Sequence, residues 1–434
     1  MQVLLLLAGR SRRFWPLEEK ALWPMCGAPL LVHQISRLKA AGLTEITLVG
    51  GAHNLELARS IAKDLPVIEQ EDLERGMQGA LESALPKLKD EPLLVVSSND
   101  VVDSAAYRAV KDLCEKNTAL DGVLLAKRTT EYFPGGYIKM NGSKIAEIIE
   151  KPKPGTEPSD LVTIVVHAHR SPKDLAAAIK KASAKNDDGY ERALTALFVE
   201  KNYAVAPYEG SWQPVKYPWH LLPLLETMLQ NITTPQIDPT AVIHPSAVVE
   251  GPVIIGAGVR ILQHATVVGP CVIGDRTIVG TGSLVRASSI GTDCVIGYSS
   301  EVARSVLADH VWTHTTYIGD SVIGENVSFG SGCITANLRL DESVIASTHA
   351  EEKIPTHLTK FGCVIGANSR LGVRVTIAPG VKIGGDSFIS SGVMVEEDVP
   401  QKSFLRIRDG RLVVRENTQQ AQKPANRTTF RKKL

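Results

Sequence analysis

A six-residue spacing of aliphatic side chains runs through the second half of this 434-residue chain and limits its fold more than any other feature. The spacing begins at Ile255, slips by one residue before Ile290, and returns at Ile323 and Ile365. The series comprises Ile255, Ile261, Val267, Ile273, Val279, Val285, Ile290, Ile296, Val302, Ile323, Phe329, Ile365, Leu371, Ile377, Ile383 and Ile389. A fixed short period indicates a repeat architecture in which each unit contacts only its neighbours.

This spacing resembles the hexapeptide repeat of left-handed parallel β-helices. In that fold three hexads form one triangular coil, with the aliphatic residue inside and glycine or another small residue at the corner. The resemblance implies such a β-helix over residues 240–402. The period is interrupted at residues 303–317 and 335–362, and we expect both interruptions to be loops that leave the β-helix and carry functional residues.

In the first half of the chain, short apolar runs alternate with helix-like spacing. This alternation predicts an α/β domain with a doubly wound, mostly parallel, Rossmann-like sheet over residues 1–231. A polar linker is predicted at 232–239, and a final hairpin with a flexible basic tail at 403–434. Ligands of doubly wound sheets bind beyond the carboxyl ends of the strands.

The first strand is followed at once by a loop with one glycine and several cations. Backbone N–H groups and cations in such a loop can bind a phosphate chain. A basic surface loop with no ligand explains the same residues, so the composition of the loop alone leaves both interpretations open. The residues concerned are Gly9, Arg10, Arg12, Arg13 and Lys20.

The same stretch, LAGRSRRFWPL followed by KALWP, resembles the signature of the sugar-phosphate nucleotidylyltransferases. The resemblance implies that Arg13 and Lys20 are catalytic cations, which bind the triphosphate and the sugar phosphate. Ser11 stands where the family has its second glycine. The resemblance also implies a substrate-binding loop at Leu7, Ala8 and Gly9.

Asp100 follows the buried strand predicted at residues 93–97. A carboxylate in this position can hold Mg²⁺ together with nucleotide phosphates. The alternative is a cap for the next helix, although Asp103 or Ser104 would be the better cap. The family has a metal-binding aspartate at this point, so the resemblance implies an Mg²⁺ site at Asp100.

Two further stretches match motifs of the nucleotidylyltransferases. Gln70 and Gly76 resemble the loop that recognises the base, and by analogy they favour a pyrimidine, as in UTP or dTTP. Glu150 and Lys151, with the matching glycine Gly136, resemble the motif that binds the sugar phosphate. Without the resemblance, Glu150 and Lys151 would be interpreted as an exposed charged pair.

Other positions depart from the nucleotidylyltransferase pattern. Pro214 stands where the family has its second metal-binding aspartate, and a strand containing His167 and His169 replaces a family motif. Two histidines on one strand face are more commonly structural than ligands. These departures keep a second hypothesis open, in which a degenerate sugar-nucleotide-binding or regulatory domain is fused to a hexapeptide-repeat acyltransferase or scaffold.

The interruptions of the repeat contain His314, Tyr317 and Asn337. Amine acetylation needs a base near neutral pKa, which imidazole supplies, but a surface histidine would explain His314 equally well. Their order resembles the acetyltransferase half of the bifunctional glucosamine-1-phosphate acetyltransferase/N-acetylglucosamine-1-phosphate uridylyltransferase family. The resemblance implies His314 as the base, Tyr317, Asn337 and Lys360 as ligands of the sugar phosphate, acetyl-CoA as co-substrate, and a homotrimer.

Composition narrows the range of partners. The formal net charge is +1, so a nucleic-acid partner is not expected. No apolar run reaches the length of a membrane span, so no membrane partner is expected. Six cysteines without C-x-x-C spacing predict buried thiols in a cytoplasmic protein.

Overall fold

The structure, a computed structural model, describes residues 1–182 and 188–431. It contains two compact units. The first comprises Met1–Arg10 and Leu30–Pro214, and the second comprises Ser11–Pro29 together with the chain from Val215 onward. The segment Ser11–Pro29 therefore groups with the C-terminal half of the chain. The last residues of the predicted basic tail, 432–434, lie outside the described residues.

The first half of the chain contains both helices and strands. The helices, including the two later ones, are α1 (Leu30–Ala40), α2 (Leu55–Ile61), α3 (Gly76–Ala84), α4 (Ser104–Lys116), α5 (Pro172–Lys181), α6 (Gly189–Glu200), α7 (Leu221–Gln230) and α8 (Pro424–Arg431). The strands are β1 (Gln2–Leu6), β2 (Pro24–Met25), β3 (Ala28–Pro29), β4 (Ile46–Gly50), β5 (Val67–Glu69), β6 (Leu93–Ser97), β7 (Asp100–Val102), β8 (Gly122–Arg128), β9 (Gly136–Asn141), β10 (Lys144–Glu150), β11 (Leu161–His169), β12 (Tyr203–Pro207) and β13 (Trp212–Pro214).

The first unit is built on a mixed sheet with the order β10-β9-β11-β6-β1-β4-β5, and β8 joins β11 to β12. Strands β6, β1, β4 and β5 are parallel to one another, whereas β11 is antiparallel to β6. Every residue of β1 is buried, as expected for a strand in the middle of a parallel sheet with both faces covered. Because Leu6 pairs with Ser97, the chain leaves β1 and β6 at the same edge.

The second half consists almost entirely of short strands. They are β14 (Gln236–Ile237), β15 (Val242–Ile243), β16 (Val248–Glu250), β17 (Val253–Ile255), β18 (Arg260–Ile261), β19 (Thr266–Val268), β20 (Cys271–Ile273), β21 (Ile278–Val279), β22 (Leu284–Arg286), β23 (Ser289–Ile290), β24 (Val295–Ile296), β25 (Glu301–Ala303), β26 (Val306–Leu307), β27 (Tyr317–Gly319), β28 (Val322–Ile323), β29 (Ser328–Phe329), β30 (Ile334–Thr335), β31 (Ile345–His349), β32 (Glu352–Leu358), β33 (Cys363–Ile365), β34 (Arg370–Leu371), β35 (Thr376–Ile377), β36 (Val381–Ile383), β37 (Phe388–Ile389), β38 (Met394–Val395), β39 (Ser403–Arg408) and β40 (Arg411–Glu416).

These strands stack into the faces of a parallel β-helix. One face has the order β14-β17-β20-β23-β26-β28-β33-β36, and a second has the order β16-β19-β22-β25-β27-β30-β35-β38. The third is formed by β15-β18-β21-β24 and by β29-β34-β37-β39-β40, which the bridges of Trp312 connect. The predicted fold class, an α/β nucleotidylyltransferase domain followed by a β-helix, is confirmed.

The repeat series forms the core of the β-helix. All members of the series belong to one hydrophobic cluster, and none is more than 4% exposed. Corners are tight because successive coils lie close together. A Cβ atom added at Gly297 would lie 2.4 Å from the carbonyl oxygen of Thr313 and 2.7 Å from the Cα of His314.

The first interruption of the period does not leave the β-helix, so the prediction of a loop at residues 303–317 is wrong. The ladder continues through it, but the coil is shorter: Ile261 pairs with Val279, 18 residues on, whereas Val302 pairs with Ile318, 16 residues on. A coil can lose residues at its corners and keep its strands in register. His314 therefore lies within a coil, between Trp312 and β27.

The second interruption does leave the β-helix. The ladder passes directly from Ile323 to Ile365, and the intervening chain forms the antiparallel hairpin β31–β32. Ile345 and Ser347 of this hairpin are buried.

The C-terminal segment is ordered against the β-helix in the described residues, whereas the sequence predicts a flexible tail. Arg427 on α8 donates to Asn326 Oδ1 at 2.9 Å and to Ser328 Oγ at 2.7 Å. Its guanidinium lies 4.1 Å from the centre of the Trp312 ring. These polar and cation–π contacts give a polar segment a binding surface that its composition does not reveal.

The first unit contains a buried polar network around two histidines. His167 bonds to Tyr190 Oη at 2.9 Å and to Thr163 at 2.8 Å, and His169 bonds to Tyr203 Oη at 2.9 Å. Burial lowers the pKa of both histidines to about 3. They are neutral structural residues, as the sequence favoured.

The sequence also makes predictions about the cysteines and about membrane-spanning segments. The six cysteines, all within the described residues, form no disulfide; five are buried and Cys26 is half-buried. Over residues 1–182 and 188–431, no helix is both long enough and apolar enough to span a membrane.

We expect Ile273→Ala to lower the free energy of unfolding by about 2–5 kcal/mol, because it leaves a cavity in the β-helix core. Ile273 is 1% exposed. The matched control is Ile237→Ala in the same face, where the side chain is 45% exposed; we expect a change of about 0.5 kcal/mol or less. Guanidinium unfolding measures both, and equal losses would contradict this account of the core.

We expect the first unit to lose stability as the pH falls below 6.5, the ordinary pKa of histidine. Between that value and about 3, the unfolded chain binds protons on His167 and His169 while the folded chain does not. Each histidine therefore contributes up to about 1.4 kcal/mol per pH unit over this range. Urea unfolding at about pH 7 and about pH 5 measures the loss.

The control for this pH dependence uses two histidine variants. His169→Gln should reduce the loss on acidification, because a glutamine there binds no proton in either state. His53→Gln, at an exposed histidine, is the matched control, and a reduction as large as that in His169→Gln would contradict the role of the buried site. An undiminished loss in His169→Gln would show that other groups cause it.

Candidate active sites

The loop after β1 begins buried and ends exposed. Leu7 donates its N–H to the carbonyl of Val49 at 2.8 Å, and its own carbonyl accepts from Asn54 Nδ2 at 3.0 Å. Ala8 is buried, whereas Gly9 is exposed and a Cβ added there would meet nothing within 4 Å. The loop is therefore fixed at its base and leaves open space beside Gly9.

Ser11 adopts the backbone conformation that a glycine would provide. Its φ is 49°, in the left-handed region, where glycine pays no steric penalty and other residues are uncommon. Ser11 Oγ lies 3.4 Å from the N–H of Lys20, across the signature segment. The serine therefore keeps the turn that the family signature builds with glycine.

Arg13 and Lys20 lie in two short 3₁₀ turns, Arg12–Phe14 and Lys20–Leu22. Both belong to Ser11–Pro29 in the second unit, whereas Leu7, Ala8 and Gly9 belong to the first. The sequence predicts one loop from Ala8 to Arg13 and does not indicate this division.

Asp100 begins β7 at the edge where β6 ends. Its Oδ1 accepts a hydrogen bond from the indole Nε1 of Trp212 at 2.9 Å. The N-terminus of α4 is capped instead by Asp103, whose Oδ1 accepts from the N–H groups of Ala105 and Ala106 at 2.9 and 3.1 Å. Asp100 is therefore not the cap of this helix, which was the alternative role.

Pro214 lies directly opposite Asp100 in the ladder of β7 and β13. Where the nucleotidylyltransferases have a second carboxylate, this chain has a side chain that cannot bind a cation. Within the described residues, no cluster of three histidine, cysteine or acidic side chains could hold a metal. Mg²⁺ needs few carboxylates when phosphate oxygens and water complete its shell, so the residues fit Mg²⁺ held by Asp100 together with a nucleotide.

Gln70 and Gly76 are in direct contact. Gln70 Nε2 donates to the carbonyl oxygens of Gly76 at 2.8 Å and of Asp72 at 2.7 Å. Gln70 is buried, and Gly76 has a φ of 51° at the start of α3. The glutamine amide thus fixes the loop between Gln70 and Gly76. Arg10, in the loop after β1, forms an ion pair of 2.5 Å with Glu74 of that loop.

Glu150 and Lys151 form an ion pair of 2.7 Å at the end of β10. Gly136 pairs with Glu150 in the hairpin, and a Cβ added at Gly136 would lie 3.2 Å from Glu150 Oε2 and 2.9 Å from Thr163 Cγ2. The glycine therefore leaves room for the carboxylate.

His314 is held at its backbone and exposed at its side chain. Ser300 Oγ donates to the carbonyl of His314 and accepts from the N–H of Thr316 at 3.2 Å. An exposed imidazole on a fixed backbone is suited to exchange protons with a substrate.

Tyr317 and Asn337 are brought together by adjacent strands of one face. Asn337 Nδ2 donates to Tyr317 Oη at 3.2 Å and also to Asp320 Oδ2. Lys360 is exposed and pairs with Leu338, next to Asn337. Tyr317, Asn337 and Lys360, which are predicted to bind the sugar phosphate, therefore lie near one edge of this face.

Asp320 and Arg304 complete this network, and the sequence did not single them out. Arg304 Nε and Nη2 bind the two oxygens of Asp320 at 2.6 Å each. These hydrogen bonds raise the pKa of Arg304 above its usual range. The sequence feature that could have indicated Asp320 is its position three residues after Tyr317, in Tyr-Ile-Gly-Asp. Asp320 directly follows β27, at the next corner of the coil.

Two family models match the chain. The model described as the MobA-like NTP transferase domain matches residues 3–237, and the model described as the GMPPB C-terminal domain matches residues 232–318. The first covers more than half of the chain and so shows its family.

Curated relatives match over nearly the whole length. The chain is 29% identical to a bifunctional sugar-1-phosphate nucleotidylyltransferase/acetyltransferase of Sulfurisphaera tokodaii, over 94% of this chain and 100% of that protein. It is 29% identical to a bifunctional protein GlmU of Methanococcus aeolicus, over 93% of this chain and 97% of that protein. It is 27% identical to the GlmU of Methanocaldococcus jannaschii, over 94% and 98%.

The name of the Sulfurisphaera tokodaii relative combines two transferase activities, and the match covers both the sheet and the β-helix of this chain. This chain therefore belongs to the MobA-like NTP transferase family, and it is an enzyme of the bifunctional sugar-1-phosphate nucleotidylyltransferase/acetyltransferase type.

Proposed function

We propose that the chain transfers a nucleotidyl group from UTP or dTTP to a sugar 1-phosphate and N-acetylates an amino-sugar 1-phosphate from acetyl-CoA. The single observation that carries the first activity is the shared edge of β1 and β6. The loop that begins at Leu7 follows β1 at this edge, and Asp100 follows β6 at the same edge. Ligands of such sheets bind there.

Nucleotidyl transfer needs charge neutralisation and alignment. An oxygen of the sugar phosphate attacks the α-phosphorus, the bond from that phosphorus to the bridging oxygen breaks, and pyrophosphate leaves. We assign Arg13 to the triphosphate, Lys20 to both phosphates, and Glu150 with Lys151 to the sugar phosphate. When bound at Asp100, Mg²⁺ would supply further positive charge at the phosphate oxygens.

We assign recognition of the nucleotide to the loop before α3 and to the loop after β1. Gln70 and Gly76 would face the base, and Leu7, Ala8 and Gly9 would line the nucleotide with backbone groups. The contact of Gln70 with Gly76 supports one recognition loop. The exposed loop end at Gly9 supports close approach of a ligand to the backbone.

Acetyl transfer is assigned to the β-helix. The amine nitrogen attacks the thioester carbonyl carbon, the carbon–sulfur bond breaks, and the amine proton passes to His314 while coenzyme A leaves as its thiolate. Tyr317, Asn337 and Lys360 would hold the sugar phosphate. The network of Asn337, Asp320 and Arg304 supports this role, since it fixes the amide.

We also propose a homotrimer formed through the β-helix, with acetyl-CoA bound between neighbouring copies, and a cytoplasmic location. We retain residues 1–231, 232–239, 240–402 and 403–434 as the domain divisions of the sequence. Six cysteines without a disulfide support a reducing compartment.

Pro214 favours a second candidate function. Because it faces Asp100 in place of a carboxylate, the first unit could bind a sugar nucleotide without turning it over. Pyrophosphate release by the purified protein tests this alternative, with Mg²⁺, a panel of nucleoside triphosphates, and glucose-, N-acetylglucosamine- and glucosamine 1-phosphates. Release with one pair supports the transferase, and no release from a protein that still acetylates supports the binding domain.

We expect Lys20→Ala to lower kcat/KM for pyrophosphate release by about 100-fold, because it removes a cation from the transferring phosphates. Lys116→Ala is the control. It removes an exposed lysine whose partner, Asp112, lies on the same helix, and it should leave the rate unchanged. Unchanged turnover in Lys20→Ala would refute the role assigned to this lysine.

We expect His314→Asn to lower the acetyl-transfer rate by about 100-fold or more, because it removes the proton acceptor. Pyrophosphate release should be unaffected. His310→Asn is the matched control, since His310 lies at a nearby corner with a φ of 61° that asparagine tolerates. Equal losses in the two variants would indicate a structural effect on the coil.

A further inference from the structure

The signature segment Ser11–Pro29 lies along one face of the β-helix. The N–H of Cys26 donates to Ser289 Oγ on β23 at 2.8 Å. The carbonyl of Pro16 lies close to Gly366, just after β33, where an added Cβ would be 3.0 Å from that oxygen. Strands β23, β33 and β36 belong to the same face, so the segment extends over several coils.

Lys382 on β36 is the polar centre of this face. It is 2% exposed, and its Nζ donates to Asp398 Oδ2 at 2.5 Å, to Ser347 Oγ at 3.2 Å and to the carbonyl of Thr348. The same ammonium lies 5.5 Å from the centre of the Trp15 ring. One buried cation thus connects the hairpin β31–β32, the end of the β-helix and the signature segment.

The hairpin also brings His349 to the aromatic residues that follow the first unit. The His349 ring meets Tyr217 edge-on, with centroids 5.6 Å apart, and Tyr217 stacks on the buried Trp219 at 4.4 Å. Burial and then the charges of Arg13 and Lys382 lower the pKa of His349. The charge of Arg13, on the same segment as Trp15, therefore acts on this imidazole.

We infer that Lys382 is a positioning residue for nucleotidyl transfer, because it holds the segment that carries Arg13 and Lys20 against the β-helix within the second unit. The inference rests on the proposed function of that segment. Arg13 is two residues from Trp15, whose ring lies over the Lys382 ammonium. A displacement of about 1 Å at a phosphate-binding group can cost up to about 100-fold in rate.

The face that holds the segment is not the face of the acetyl-transfer residues. Tyr317 and Ile334–Thr335 lie in β27 and β30, which belong to another face. Lys382 contacts Ser347 and Thr348 of the hairpin that lies between Asn337 and Lys360, so a change at Lys382 should lower pyrophosphate release much more than acetyl transfer. This selectivity separates positioning from general loss of the fold.

The test uses Lys382→Met combined with Asp398→Asn in the full chain, so that neither ion of the pair is left alone. We expect kcat/KM for the nucleoside triphosphate to fall by about tenfold or more, mainly through KM, because the cations are misplaced before the transition state is reached. We expect backbone hydrogen exchange over residues 11–29 to accelerate. Arg276→Met, which breaks an ion pair with Asp293 elsewhere on the β-helix, should change neither.

A second variant keeps the test decisive if the first does not fold. Ser289→Ala removes the acceptor of the Cys26 N–H, and exchange at that amide should accelerate. Unmodified exchange over residues 11–29 and unmodified kinetics in the variants would overturn the inference. Parallel loss of both activities with a lowered unfolding midpoint would also overturn it, because Lys382 would then act on stability alone.

Failure of the inference about Lys382 can be distinguished from failure of the proposed nucleotidyl transfer. If the unmodified protein releases no pyrophosphate with any substrate pair, the proposed nucleotidyl transfer fails. Hydrogen exchange and nucleotide binding still decide the inference in that case. Faster exchange over residues 11–29 together with weaker binding of UTP or dTTP supports it, and unchanged exchange or binding rejects it.

Discussion

Stacking of coils is the constraint on which the second unit depends. Each coil donates and accepts backbone hydrogen bonds with the coil before and after it, and the aliphatic series fills the interior. A coil can change length only at its corners, because the strands must stay in register. The coil from Val302 to Ile318 loses two residues relative to the first coils and keeps its ladder. The exposed His314 side chain is therefore presented from a rigid frame.

Polar residues are fixed by the same geometry. Asp320 accepts from Arg304 on the preceding coil and from Asn337 on the following one, so three coils contribute to one network. On another face, Lys382 is fully buried only because three oxygens accept from its ammonium. A buried cation is costly unless it is paired and hydrogen-bonded. Such groups hold loops and hairpins against a core that is otherwise apolar.

Two departures from the nucleotidylyltransferase signature differ in their physical effect. Ser11 adopts a left-handed conformation that glycine adopts without a steric penalty, so the serine makes this turn at a modest backbone cost. Pro214 pairs with Asp100 in the ladder of β7 and β13, and its side chain has no oxygen that could bind a cation. Ser11 therefore bears on the shape of the backbone, and Pro214 bears on the side chains that face Asp100.

The sequence by itself determined the fold class, the members of the β-helix core and the stretches that carry the signature, because these depend on periodicity and local order. It also indicated that His167 and His169 are structural. It did not reveal that residues 303–317 continue the ladder, that Arg427 binds the β-helix, that Asp320 joins Arg304 to Asn337, or that Ser11–Pro29 lies along a face with Lys382. Those features bring together groups that are distant along the chain, and only the tertiary structure decides such contacts, since no local pattern encodes which coil or hairpin a polar group will meet.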